Sequence, residues 1–261
     1  MTNNQHIIEV ENLVKKFGSF VANDNLNFFV RKGEIFGFLG ANGAGKTTAI
    51  KILCGLWKPT SGNIRVAGFD VYRETEKIKK NIGYMSQKFS LYDDMTIAEN
   101  FTFFGGIYGL RMKAIREKMN FFLEKLGIVD YKDRVISDLP LGWKQKLAFS
   151  IAIMHDPAIV FLDEPTSGVD PVTRRQFWDM IYEAAHGGIT VFLTTHYMDE
   201  AEYCERVSIM VDGRIEALDT PGELKKQFGV DTIEEVFIKL ARKLKASLLK
   251  SSTTFSATCG R

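Results

Sequence analysis

The sequence predicts an α/β fold in which a mainly parallel, covered sheet carries an inserted helical subdomain. Three observations predict it. Short apolar runs alternate with helix-length amphipathic segments, the pattern of parallel strands joined by crossover helices. The most apolar run, Glu34-Ile35-Phe36-Gly37-Phe38-Leu39, passes through a glycine-rich turn directly into a helical pattern. Between residues 88 and 138 the alternation stops and long helical patterns take over.

Taken in order, Ile7-Ile8-Glu9-Val10 and Leu26-Asn27-Phe28-Phe29-Val30 read as strands, 34–39 as a strand buried on both faces, and 48–53 as a helix. Residues 63–87 hold further short strands around a charged helix at 73–80. Helical spacing then governs Phe101, Phe103, Phe104 and Ile107 within 96–108, and Ile115, Met119, Phe122, Leu123 and Leu126 within 113–126. The core resumes with a helix at 144–154, a strand at 158–162, a helix at 172–185 and a strand at 190–194. A last amphipathic helix sets Ile233, Val236, Phe237, Leu240 and Leu244 on one face, and 251–261 is polar, small and expected to fray. The expected organisation is an α/β core over 1–87 and 139–230, a helical subdomain over 88–138, and a C-terminal helix with a basic tail over 231–261.

The chain has 261 residues, 45% of them hydrophobic and 25% charged, which excludes a disordered or fibrous class. Its net charge of +2 hides an asymmetry: after Glu235 there are six basic residues and no acidic one. The remainder holds 28 basic against 32 acidic residues, a balance of −4, so the body has no global drive toward nucleic acid. The basic end from Lys239 is either a solvated tail or a contact for anionic lipid. Three widely separated cysteines, Cys54, Cys204 and Cys259, in no metal-ligand spacing, are expected to be reduced in an intracellular protein. The polar N-terminus has no apolar leader, and no run of apolar residues is long enough to span a bilayer. A membrane role is therefore expected to run through a partner.

Gly40-Ala41-Asn42-Gly43-Ala44-Gly45-Lys46-Thr47 fits G-x-x-x-x-G-K-[ST] between a strand and a helix. Glycines let successive backbone N–H groups point inward at a positive helix end, which makes an anion nest. Lys46 can then reach the β- and γ-phosphates of a nucleoside triphosphate, and the Thr47 hydroxyl can ligate Mg2+. A second part is Ala158-Ile159-Val160-Phe161-Leu162-Asp163-Glu164, an apolar strand ending in two carboxylates. Asp163 suits the Mg2+ shell, directly or through water, and Glu164 suits polarising an attacking water.

Through these motifs the chain resembles the ATP-binding subunit of ABC transporters over about residues 5 to 240. That resemblance implies a P-loop NTPase core, a mainly parallel sheet with an antiparallel β part. It implies that Phe17, in Lys15-Lys16-Phe17-Gly18, stacks on adenine, and that the phosphates lie on Gly40, Ala41, Asn42, Gly43, Ala44, Gly45, Lys46, Thr47 and Thr48. Gln87 matches the glutamine that touches Mg2+ and the water beside the inserted helices. Ser167-Gly168-Val169-Asp170 is similar to the loop that crosses to a second subunit, and His196, after Thr194-Thr195, to the histidine on the γ-phosphate. Thr47, Gln87 and Asp163 are the implied metal ligands, and Glu164, His196, Gln87 and Lys46 the implied catalytic set.

One segment departs from the family. Where the usual sequence is Leu-Ser-Gly-Gly-Gln, this chain has Leu139-Pro140-Leu141-Gly142-Trp143. Pro140 offers neither hydroxyl nor N–H, so the backbone N–H groups of Leu141, Gly142 and Trp143 are expected to meet the phosphate of a nucleotide held by the other subunit. Variants of this kind occur in the branch of drug- and lipid-exporting ATPases, which hints at export. The implied partners are transmembrane permease subunits and a second ATP-binding subunit, identical or closely related, with ATP and Mg2+ as ligands and a cytoplasmic place on the inner face of the membrane. The alternatives are a soluble protein of this type working on DNA or ribosomes, which lacks its usual long insertion here, and a regulatory module with weak hydrolysis.

Overall fold

The structure, a computed structural model, describes residues 6–87 and 91–242. Leu244 of the last amphipathic face, the 251–261 tail, Cys259 and the first residues of the helical subdomain lie outside the described residues. Two sheets form the molecule. The first is antiparallel, in the order β2 (Phe20–Arg31), β1 (His6–Phe17), β4 (Ser61–Val66), β5 (Phe69–Asp70). The second runs β10 (Arg214–Asp219), β9 (Arg206–Val211), β3 (Ile35–Leu39), β8 (Thr190–Thr195), β7 (Ile159–Asp163), β6 (Ile82–Met85) and is parallel from β9 to β6. Only β10 pairs antiparallel in it, with β9.

The central strands are buried throughout, and their alternating side chains split the interior in two. Ile35, Leu39, Val160, Leu162, Val191, Leu193, Val207 and Ile209 face a helical layer. That layer is α3 (Ile97–Ile107), α4 (Met112–Leu126), α5 (Leu141–Ile153), α6 (Pro171–His186), α7 (Pro221–Phe228) and α8 (233–242). Phe36, Phe38, Phe161 and Phe192 face the other way, toward α1 (Lys46–Leu53) and the antiparallel sheet. The short α2 (Thr75–Asn81) leads into the edge strand β6. The helix starts follow their sequence. Thr96 and Glu99 form a reciprocal capping box at α3, and Asp170 caps α6 with Pro171 in the first turn.

Phe192 lies fully buried on β8, its ring centroid 5.4 Å from both Phe38 and Phe161 and 5.5 Å from Phe36. Phe192→Ala is expected to cost about 3–5 kcal/mol of folding stability, read as a lowered urea midpoint.

Several elements differ from the sequence reading. β1 and β2 are each 12 residues, far longer than the apolar runs 7–10 and 26–30, because bulges and polar stretches interrupt their alternation. β9, β10 and α7 have no counterpart in the sequence reading, although Val207-Ser208-Ile209-Met210 has the apolar character of a covered strand. Helix α5 begins at Leu141 rather than Lys144, and Pro140 caps it from outside the first turn.

Candidate nucleotide site

Parallel pairing brings the carboxyl ends of β3, β6, β7 and β8 to one edge, in the register Leu39 with Thr195, Asp163 with Thr194 and Met85 with Leu162. Every motif found in the core leaves from that edge: the glycine loop after Leu39, Asp163 and Glu164 after Leu162, Gln87 after Met85 and His196 after Thr195. Ligands of open α/β sheets sit outside this edge.

The loop from 40 to 45 needs its glycines at particular positions. Gly45 caps α1 with φ of +101°, a backbone that side chains rarely adopt, and a Cβ there would run into the Ala22 carbonyl. A Cβ on Gly40 would come to 2.5 Å from the Met210 carbonyl. Asn23 in β2, buried, donates its side-chain amide to the Gly45 carbonyl at 3.1 Å and so ties the loop to the antiparallel sheet. Beside the loop opens a cavity of 480 Å³, lined by Asn42, Gly43, Gly45, Lys46, Thr47 and Thr48, by Gln87 and Glu164, and by Phe20 and Ala22.

Lys46 is only 4% exposed. Its Nζ donates to the carbonyls of Gly40 (2.7 Å) and Ala41 (3.1 Å) and stands 3.4 Å from Glu164 Oε1. Burial pushes its pKa down, and the Glu164 carboxylate opposes that shift. Ala44 is buried, its N–H given to the Ala41 carbonyl. The Thr47 hydroxyl donates to Asp163 Oδ1 at 3.2 Å, and the Thr194 hydroxyl donates to the same oxygen at 2.6 Å. Burial raises the Asp163 pKa, and these two hydroxyls hold it back.

Glu164 is the hub. It sits at φ of +51°, a strained backbone for a non-glycine residue, immediately before Pro165. Its N–H donates to both the carbonyl and the hydroxyl of Thr194, each at 3.1 Å, which fixes the turn. The side chain then points into the cavity wall. Gln87 Nε2 donates to Glu164 Oε2 at 2.8 Å, His196 Nδ1 lies 2.9 Å from the same oxygen, and Lys46 stands at the other.

Five other predicted residues lie apart from this cavity. Asp170 caps α6, accepting from the N–H groups of Val172 and Thr173. Leu141 and Gly142 open α5, and the Trp143 ring packs edge-on against Tyr131. The expectation that all three N–H groups here are available is corrected: the Trp143 N–H donates to the Pro140 carbonyl at 3.0 Å, which leaves the first two of the helix. Phe17 ends β1, exposed, with its ring 5.4 Å from and edge-on to that of Trp57 and with Lys15 Nζ 4.8 Å from its centroid. It is outside the cavity lining, whereas Phe20, three residues on, is in it.

Thr194, Asn23, Phe20 and Ala22 are the site residues that sequence reasoning missed. A polar residue at a buried strand position was the available signal for Thr194 and Asn23. The donor set fits Mg2+: a hydroxyl and a carboxylate oxygen meet beside a phosphate loop, and this hard cation takes few protein ligands when phosphates and waters complete its shell.

A family model described as ABC transporter matches residues 23–167. A protein of Escherichia coli (strain K12) named as a probable multidrug ABC transporter ATP-binding protein, YbhF, is 48% identical over 244 residues, which cover 92% of this chain. The chain spans 42% of that relative's length. Among solved structures, one described as an ATP-binding subunit of an ABC transporter superposes with a TM-score of 0.82 at 26% identity, covering 90% of this chain and 99% of its own. Another, a dimeric ATP-binding cassette in a post-hydrolysis state with ADP and Pi bound, gives a TM-score of 0.74 at 25% identity, covering 82% and 98%. With its phosphate loop, paired carboxylates and sheet order in one frame, this chain belongs to the ABC transporter family of ATP-binding proteins.

Proposed function

We propose that the chain is the ATP-binding and ATP-hydrolysing subunit that powers a separate transmembrane transporter, working in the direction of export. The observation that carries this reading is the placement of Glu164, whose carboxylate is held at once by Lys46, Gln87 and His196 at the wall of the phosphate-loop cavity. Lys46, parked on two carbonyls and Glu164, exchanges them for the β- and γ-phosphates. The loop N–H groups of Asn42, Gly43, Gly45, Lys46, Thr47 and Thr48 take the phosphate oxygens, and Phe17 takes the adenine ring. Thr47, Asp163 and Gln87 would hold Mg2+, which would neutralise the phosphate charge. Glu164 accepts the proton of the attacking water, while His196 and Gln87 orient both.

Two chains complete two sites. Leu141, Gly142 and Asp170 lie away from their own cavity, which supports their use across an interface, on the nucleotide of a second ATP-binding subunit. The helix end at Leu141 and Gly142 supplies the positive pole there, without the serine hydroxyl of the usual sequence. Segment 88–138, with Tyr92, Phe103 and Ile107 exposed, meets the permease subunits. No helix among the described residues is long and apolar enough to cross a membrane, so the chain would work from the cytoplasm, peripheral on the inner face through that permease. The Escherichia coli relative's name as a probable multidrug transporter protein supports export.

The test is phosphate release from Mg-ATP by the purified chain, wild type against Glu164→Gln. A rate that collapses in the variant supports hydrolysis at this site. Equal, negligible rates would favour a regulatory nucleotide-binding module, the outcome that the missing hydroxyl at Pro140 would explain.

A further inference from the structure

Glu200 lies in a short 3-10 turn (Met198–Tyr203) after His196 and is fully buried, yet it lines no part of the nucleotide cavity. A carboxylate is costly in such a place unless several groups hold it. The Thr166 hydroxyl donates to its Oε1 at 2.5 Å. The Thr195 hydroxyl is a further polar neighbour, Oε2 has no hydrogen-bond partner among the described residues, and Arg174 Nε approaches Oε1 to 3.7 Å from α6. Burial pushes the Glu200 pKa up, and the two hydroxyls and the guanidinium oppose it.

The identity of those partners gives the carboxylate its meaning. Thr166 is two residues from Glu164, and Thr195 adjoins His196. Both threonines are buried. Thr195 also accepts the Tyr197 N–H at 3.0 Å, so it braces the turn that aims His196. The Tyr197 ring lies 4.2 Å from that of His196, and the Arg174 guanidinium covers the Tyr197 ring at 4.2 Å. One buried carboxylate thus joins the two backbone segments whose side chains meet at 2.9 Å in the site. A leucine of similar size would fill the space but leave the buried Thr166 hydroxyl without its acceptor.

We propose that Glu200 is a positioning residue for hydrolysis, holding the segments that carry Glu164 and His196 in the relative placement that the reaction needs. This rests on the ATPase reading above. Glu200 lines no part of the nucleotide cavity; it acts through Thr166, from a turn that itself follows His196. A displacement of the Glu164–His196 pair by a fraction of an ångström lowers the reaction rate without changing how the phosphate loop grips nucleotide.

The test uses the full chain with Glu200→Gln, which keeps shape and one acceptor oxygen, and with Thr166→Val as a second variant. Thermal melting, Mg-ADP affinity and kcat for Mg-ATP are measured for each, with Glu164→Gln and the Glu164→Gln/Glu200→Gln pair alongside. The expected result is Mg-ADP affinity within about 2-fold of wild type and kcat lower by about 10- to 100-fold in Glu200→Gln and Thr166→Val. The paired variant is expected to be no slower than Glu164→Gln alone, since groups acting through one another are not additive. An unchanged kcat in folded Glu200→Gln and Thr166→Val overturns the proposal. So does a loss of kcat that tracks equal losses of Mg-ADP affinity and melting temperature, because that marks a scaffold residue. If Glu164→Gln itself turns over at the wild-type rate, the reading of the site fails; if it is inactive and Glu200→Gln is not, only the positioning role fails.

Discussion

Glu164→Gln is expected to lower kcat by about 10²- to 10⁴-fold, the usual worth of a general base, while Mg-ATP still binds. The amide keeps the size of the carboxylate and one acceptor oxygen, so Gln87 and His196 retain a partner at the position where they now lie 2.8 and 2.9 Å from Oε2. It removes the charge and the ability to take a proton. It also frees Lys46 from its buried ion pair, so the ammonium reaches phosphate with less competition. Affinity for Mg-ATP is therefore expected to stay level or rise as turnover falls. Phosphate-release kinetics together with equilibrium nucleotide binding check both halves.

Lys46→Ala has the second large effect, and it acts on affinity. Losing one charged hydrogen-bonding group to the phosphates costs about 1.5–3 kcal/mol, or about 10- to 100-fold in the Kd for Mg-ATP. The nucleotide-free chain should also lose stability. Lys46 and Glu164 are both buried, and removing the cation leaves the carboxylate with Gln87 and His196 alone. That loss is expected at about 1–3 kcal/mol, because those two partners remain and the burial cost of the lysine disappears. Lys46→Ala/Glu164→Gln is expected to regain most of the stability and none of the affinity. Urea unfolding and nucleotide titration of the four proteins close the cycle.

The parts of the site legible in the sequence are those whose chemistry demands rare residue patterns. Gly40 to Thr47 can be read because only glycine tolerates the backbone at Gly45 and because Lys-Thr after it has little other use. Asp163 and Glu164 can be read because an apolar strand rarely ends in two carboxylates. The residues that hold these groups are less visible. Thr194, Asn23 and Glu200 are common residue types whose importance lies in what they face, and a threonine inside a strand looks like any β-former until Asp163 is found 2.6 Å away.

The fold shows the same division. The central strands, buried on both faces, announce themselves as apolar runs, whereas β1 and β2 have burial that bulges shift out of alternation. Helix α7 carries its own cap in Thr220, whose hydroxyl accepts the Glu223 N–H, but its eight residues bury little beyond Pro221 and Leu224. At 139–143 the difficulty is of another kind. Pro140 reads as part of a first turn, yet it stands just outside the helix and takes the Trp143 N–H. On the reading proposed above, what this segment does depends on a surface that a second subunit supplies.

The most direct measurement of the account is therefore the mass in solution of the Glu164→Gln chain with and without Mg-ATP, by light scattering, with Lys46→Ala as the control. A site shared between Lys46 of one subunit and the Leu141 end of another predicts a dimer that forms with Mg-ATP and not without it, and none in the control. A chain that binds Mg-ATP tightly and stays monomeric at every concentration would contradict closure by two copies of this chain.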